Sequence, residues 1–156
     1  MPHDLLRHTL ATLAYRANKA LRGAPADFDT FRLAPGTRTP GEILAHLGDL
    51  LDWALALSDG EHRWHDSAPQ AWDADVDRFF ARLQAWDDRL ASTDPLGFPA
   101  ERLFQGPVAD AFTHVGQIAL LRRLAGSPVR GENYFKADIA DGRVGREQAT
   151  SKVEFD

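Results

Sequence analysis

Residues 107–128 read PVADAFTHVGQIALLRRLAGSP, and this stretch decides the fold. At helical period Asp110, His114, Ile118 and Leu121 fall on one stripe, with Gln117 and Ala125 at its edges. The lower half of the stripe is apolar, as a core-facing helix requires. The upper half sets a carboxylate and an imidazole one turn apart, so both can reach a common point. Arg122 and Arg123 suit the negative end of a helix, Gly126 can take the left-handed cap, and Pro128 blocks continuation. Pro107 fits a first-turn position, where its missing N–H costs nothing.

Working outward, three further segments share the period. Residues 71–93 place Val76, Phe79, Phe80, Leu83, Trp86 and Leu90 on one face, with Asp77, Arg78, Arg82, Asp87, Asp88 and Arg89 on the solvated one. The segment after residue 38 starts sharply. Thr39-Pro40-Gly41-Glu42 is a capping box with proline at the first helical position. Its stripe is Ile43, His46, Leu47, Leu50, Trp53, Ala54 and Leu57, apolar but for one histidine, with Glu42, Asp49 and Asp52 mostly on the solvated side. Residues 2–22 give a first helix, with Leu5, Leu6, Leu10, Leu13, Ala17 and Leu21 recurring at three- and four-residue steps. Between helices two and three, DGEHRWHDSAPQ (59–70) reads as an exposed loop. There the three-residue spacing of His62 and His65 carries little meaning for a metal. His8 reads as a rim residue.

Four amphipathic helices with long connections, and no two-residue period, predict an all-α four-helix bundle over residues 1–128. Residues 129–156 differ in kind. They carry glycines and mixed charge, yet Tyr134, Phe135, Ile139, Val144, Val153 and Phe155 are spaced as anchors, so the tail is expected to wrap over the bundle or over a neighbouring subunit.

The 156 residues, 44% apolar and 26% charged, suit one ordinary globular domain, so the two parts form a single domain overall. A net charge of −5 offers no attraction for nucleic acid or an anionic membrane. No apolar run approaches a membrane span, no secretory leader is evident, and a cytoplasmic protein is expected. The chain has no cysteine, so any thiol chemistry would use a thiol brought by a small molecule.

In helical bundles metal sites are built from inward side chains on facing helices. The inward polar candidates are His46, Asp110 and His114. A carboxylate and an imidazole at i and i+4, with a third ligand from another helix, would form a facial set suited to Zn, Ni, Mn or Fe(II). The alternatives are a core histidine satisfied by a carbonyl, an aspartate that only exploits the helix start, or an Asp110–His114 ion pair that binds nothing.

TPGEILAHLGDLLDWAL (39–55) resembles the second helix of the DinB/YfiT-like superfamily, and FTHVGQIALLRRLAGSPV (112–129) its last bundle helix. The ENYFKADI and GRVGREQ stretches resemble the tails of one branch. The likeness runs in order from residue 39 to the end. It implies an up-up-down-down bundle, often dimeric, that holds a divalent metal through three histidines. It also implies, in several members, transferase or isomerase activity with a low-molecular-weight thiol such as bacillithiol or mycothiol. By position His46 and His114 match two of the three histidines. Asp110 stands where the family has the third, giving a two-His-one-carboxylate set. The expectation is a metal-dependent enzyme of the thiol-dependent transferase or isomerase type acting on a small molecule, with a second copy of the chain as partner. The rivals are a non-catalytic stress-response or binding protein with a structural or vestigial metal, and a metal-dependent hydrolase with Glu42 as its base.

Overall fold

A computed structural model describes residues 3–156. Pro2, the expected first residue of helix one, lies outside the described residues. The chain is predominantly helical: α1 (Asp4–Leu21), α2 (Pro40–Ser58), α3 (Trp72–Ala91), α4 (Ala100–Leu103) and α5 (Ala109–Leu124). A π-helical turn, Phe104–Val108, joins α4 to α5 without a break, so residues 100–124 form one rod and the long helices number four.

The expected start at Pro107 is therefore corrected. Pro99 stands at the cap of α4, and the helix is already two turns old when it meets Pro107. Proline can neither donate an i→i−4 bond nor fit its ring against the preceding turn. The widened π turn is where the rod takes up that misfit.

Each long helix buries its apolar stripe against two others, except that Leu5, expected on the stripe of α1, is 81% exposed because it lies in the first turn, outside the contact with the other helices. α2 packs on α3 and α5, and α1 packs on the same two. Between them lie Leu10, Leu13, Leu44, Leu47, Leu51, Phe79, Leu83, Trp86, Leu90 and Ile118, all essentially free of solvent. At about 1.5–3 kcal/mol per fully buried large apolar side chain, this interior is the main force holding the helices together. Trp86 brings a polar N–H into it, which donates to Ser58 Oγ at 2.9 Å, and Ser58 donates on to the Ala54 carbonyl.

Two aspartates expected on solvated faces are buried. Asp87 accepts a two-pronged bond from Arg7, Nε at 2.9 Å and Nη2 at 2.8 Å, which ties α3 to α1. Asp49 is described below. Arg122, expected only to suit the helix end, is also buried. Its guanidinium donates to the carbonyls of Ala20, Arg22 and Ser127 at 2.9–3.0 Å. It thus satisfies the orphan carbonyls at the end of α1 with a side chain from α5. Burial lowers its pKa.

The tail lies against α1. Val144 is buried, and Ile139 packs against the core. Tyr134 meets Tyr15 edge-on at 6.1 Å, and the Arg16 guanidinium lies 3.8 Å above its ring. Phe135, Val153 and Phe155 do not anchor it by burial; Phe135 is 96% exposed. A small antiparallel ladder that no period announced pairs Gly131 with Phe155 and Glu132 with Glu154, as strands β1 (Gly131–Glu132) and β2 (Glu154–Phe155). Phe155 lies across Gly131, where any side chain would collide with its ring.

The ladder aims Glu132 into a buried polar knot. It accepts from Lys19 Nζ at 2.6 Å, from the Tyr15 hydroxyl at 2.5 Å and from Ser151 Oγ at 2.9 Å. Burial alone would raise the pKa of Glu132, but the bonds from Lys19, Tyr15 and Ser151 outweigh it and hold the pKa below 4.5. Between the folded value and 4.5 the unfolded chain then binds more protons, so stability rises with pH. The contribution is complete above 4.5 and is lost as pH falls through the folded value. Glu132→Gln should remove it. Denaturant unfolding of wild type and variant should therefore differ most at pH 7 and converge on acidification. A constant gap down to pH 3 would contradict this assignment.

Candidate metal centre

α2 begins with the predicted cap. Thr39 Oγ1 accepts from the Glu42 N–H at 3.2 Å, and Glu42 Oε2 accepts from the Thr39 N–H at 2.9 Å. With the start pinned and Leu44, Leu47 and Leu51 buried, His46 is left on the rim of α2 that faces α5. On the other side, the π turn delivers Asp110 and His114 one turn apart on α5.

The structure brings the three predicted residues together. Asp110 Oδ2 lies 3.5 Å from His46 Nε2 and 3.4 Å from His114 Nε2, and the three ligand atoms lie within 4.8 Å of one another. The two rings meet edge to face, with centroids 4.6 Å apart. Both separations exceed the roughly 2.7–3.2 Å of an N–H···O bond. They match the edge of a tetrahedron whose ligands stand about 2.1 Å from its centre, which is about 3.4 Å. The three groups could therefore hold a shared cation, or serve as the ion pair that was one of the alternatives left open by the sequence.

Protonation favours ligation too. Burial first, then the charges of His114 and Arg38, lower the pKa of His46, against the opposing pull of Asp110. His46 is therefore held neutral with a lone pair to give. His114 Nδ1 lies 2.8 Å from Gln117 Oε1. With the ring proton on Nδ1 donated to that oxygen, Nε2 would be the nitrogen free to ligate on the side of Asp110. Sequence reasoning placed Gln117 at the stripe edge without this role; its position three residues after a candidate ligand was the available signal.

The site has an aromatic wall. Trp64 meets His46 edge-on at 5.5 Å and Trp53 at 5.8 Å. Residues 59–70 form the expected exposed loop, tethered to α2 through Ser67. Ser67 donates from both N–H and Oγ to Asp49 at 2.7 Å. His62 stacks near Trp53 and Phe98.

A second cluster, Asp49, Asp52 and His65, has metal-like spacing. Its charge is already met. Arg78 Nη2 reaches Asp49 at 2.6 Å and Asp52 at 2.7 Å, and Arg82 Nε reaches Asp52 at 2.9 Å. Gly48 makes this possible, because a Cβ there would stand 2.6 Å from the Arg78 guanidinium. Burial would raise the Asp49 pKa, but Ser67 and Arg78 together lower it. Asp49, expected to be solvated, is thus a buried structural ion-pair partner. Glu42, the base a hydrolase would need, is committed to its cap and to Arg32 at 3.3 Å, and the Thr39 backbone bond lowers its pKa. His8 pairs with Asp141 of the tail at 2.7 Å.

No family model, curated protein or solved structure matches the chain.

Ligation by Asp110 would have a direct consequence. Asp110→Asn should weaken Zn binding about a hundredfold or more, since even neighbours of ligands are worth 10–100-fold, while Asp110→His should retain it. Calorimetric titration of stripped protein measures both. Equal Zn affinity in wild type and Asp110→Asn would remove Asp110 from the ligand set.

Proposed function

We propose that the chain is a DinB/YfiT-like four-helix bundle with up-up-down-down topology, in which His46, Asp110 and His114 hold one divalent metal at the centre of a small-molecule active site. The observation that carries this is the 3.4–3.5 Å spacing of Asp110 Oδ2 from two imidazole Nε2 atoms. The closed ring of contacts α1–α3–α2–α5 supports the bundle, and the long 22–39 connection allows the crossover that the topology needs. The resemblance of residues 39–55 and 112–129 supports the family.

Zn, Ni, Mn and Fe(II) all suit two imidazoles and a carboxylate. Bound there, such an ion would act as a Lewis acid that lowers the pKa of a coordinated thiol or water. The chain's own residues then divide the remaining tasks. Asp110 offsets part of the ion's charge, and Gln117 fixes the tautomer of His114. Trp53 and Trp64 cover one side of the centre. With no cysteine in the chain, the thiol of a transferase or isomerase reaction arrives as a cosubstrate, of the bacillithiol or mycothiol kind. Glu42 being committed elsewhere favours this reading over hydrolysis.

Protein purified without a metal-affinity tag should carry close to one divalent ion per chain by plasma emission. His46→Ala should lose it with helical content near normal. The metal-loaded wild type, and not His46→Ala, should consume a low-molecular-weight thiol in the presence of an electrophilic acceptor. Full metal occupancy in His46→Ala would overturn the site. Thiol consumption that is equal in both would overturn the catalytic role.

The same reading includes a cytoplasmic homodimer. Leu5, Leu124 and Phe135 are exposed at 81%, 48% and 96%, which leaves apolar surface for a second copy to cover. Sedimentation equilibrium at tens of micromolar should give twice the chain mass; a monomer would contradict it. Among the described residues no helix is long and apolar enough to cross a membrane.

A further inference from the structure

Next to the metal centre a cleft of about 400 Å³ runs between the connection before α2 and the C-terminal half of α5. His114 belongs to both, so a molecule lying in the cleft reaches the metal ligands directly. The volume falls within the range of about 300–1,000 Å³ typical of small-molecule sites.

Its lining is unequal in character. Leu33, Ile43, Leu120 and Leu121 make it largely apolar. Leu33 and Leu120 are 52% and 57% exposed, although they flank the same groove. Arg38 stands in this lining, exposed, and makes no hydrogen bond or ion pair among the described residues. The neighbouring Arg32, by contrast, is ion-paired with Glu42, whose carboxylate also feels the charge of Arg38. A guanidinium that shares its lining with His114, in an otherwise apolar groove on a protein of net charge −5, is a contrast of charge against apolar surface. It matches a ligand with a negative head and an apolar body.

We propose that this cleft binds a small carboxylate with an apolar body, the carboxylate on Arg38 and the body along Leu33, Ile43, Leu120 and Leu121, in the cleft that His114 also lines. This deepens the preceding section by naming a substrate class, and it rests on that section only for the claim that the bound acid is a substrate. The binding itself needs no metal.

The test uses octanoate on metal-stripped full-length protein, with octanamide as the neutral isostere and acetate as the headgroup alone. Calorimetry should show saturable octanoate binding to wild type, with octanamide and acetate each at least tenfold weaker. Arg38→Gln, at an exposed position that threatens no packing, should weaken octanoate at least tenfold and leave octanamide unchanged. Leu120→Asp should weaken octanoate as well, by loss of apolar surface and by repulsion. The proposal is overturned if octanoate does not saturate, if octanamide binds as well, or if Arg38→Gln binds octanoate like wild type. Zinc titration of wild type without octanoate reports separately on the metal centre. Arg38-dependent octanoate binding in a protein that ignores zinc would keep this cleft and remove the metal reading. Zinc binding without octanoate binding would do the reverse.

Discussion

The rotation of α2 about its own axis is the constraint from which the rest follows. Leu44, Leu47 and Leu51 must face the interior, and the Thr39–Glu42 cap fixes where the helix begins. Once those are set, no freedom remains for the polar side chains on its rims. One rim turns His46 toward α5 and its Asp110 and His114. The other turns Asp49 and Asp52 toward Arg78 and Arg82 on α3. Packing thus produces two polar clusters from one helix, and their chemistry differs because of what each neighbour supplies.

That difference separates structure from function in this molecule. Taking a carboxylate out of water is costly, and the remedy is visible at each site. Asp87 has Arg7, Asp49 has Arg78 and Ser67, and Glu132 has Lys19, Tyr15 and Ser151. Each is closed by short bonds from groups that are always cationic or always donors. Asp110 is half-exposed and faces two imidazoles at separations too long for good hydrogen bonds, one of them with its pKa lowered by burial and the other held through Nδ1 against Gln117. Its charge is left for something else to meet. Here the carboxylate is available for ligation, whereas elsewhere in the chain it serves cohesion.

The helical architecture and the Asp110–His114 pair were legible because each depends on local spacing, whereas the meeting of His46 with that pair depends on how α2 packs against α5. A 3.6-residue period reports which side chains share a face, and Asp110–His114 and the Thr39–Glu42 cap are local pairs. What the sequence hid depends on distant partners. Asp87 and Asp49 looked solvated because Arg7 lies 80 positions from Asp87 and Arg78 lies 29 from Asp49. Pro107 looked like a helix start because the π turn that accommodates it leaves no pattern of its own. Two-residue strands are too short to show a period, and their pairing spans the tail. Phe135 was taken for an anchor on residue type alone, and type does not say which way a side chain on a short turn points. The aromatic cover from Trp64 and the Arg38 cleft arise from loops folding back on helices, which spacing along the chain does not encode.

The most direct test is anomalous diffraction from crystals of tag-free protein equilibrated with zinc. A single strong peak within about 2.0–2.2 Å of His46 Nε2, His114 Nε2 and an Asp110 oxygen is the predicted result. A peak between Asp49, Asp52 and His65, or none at the first cluster under saturating zinc, would contradict the assignment of His46, Asp110 and His114 as the metal centre.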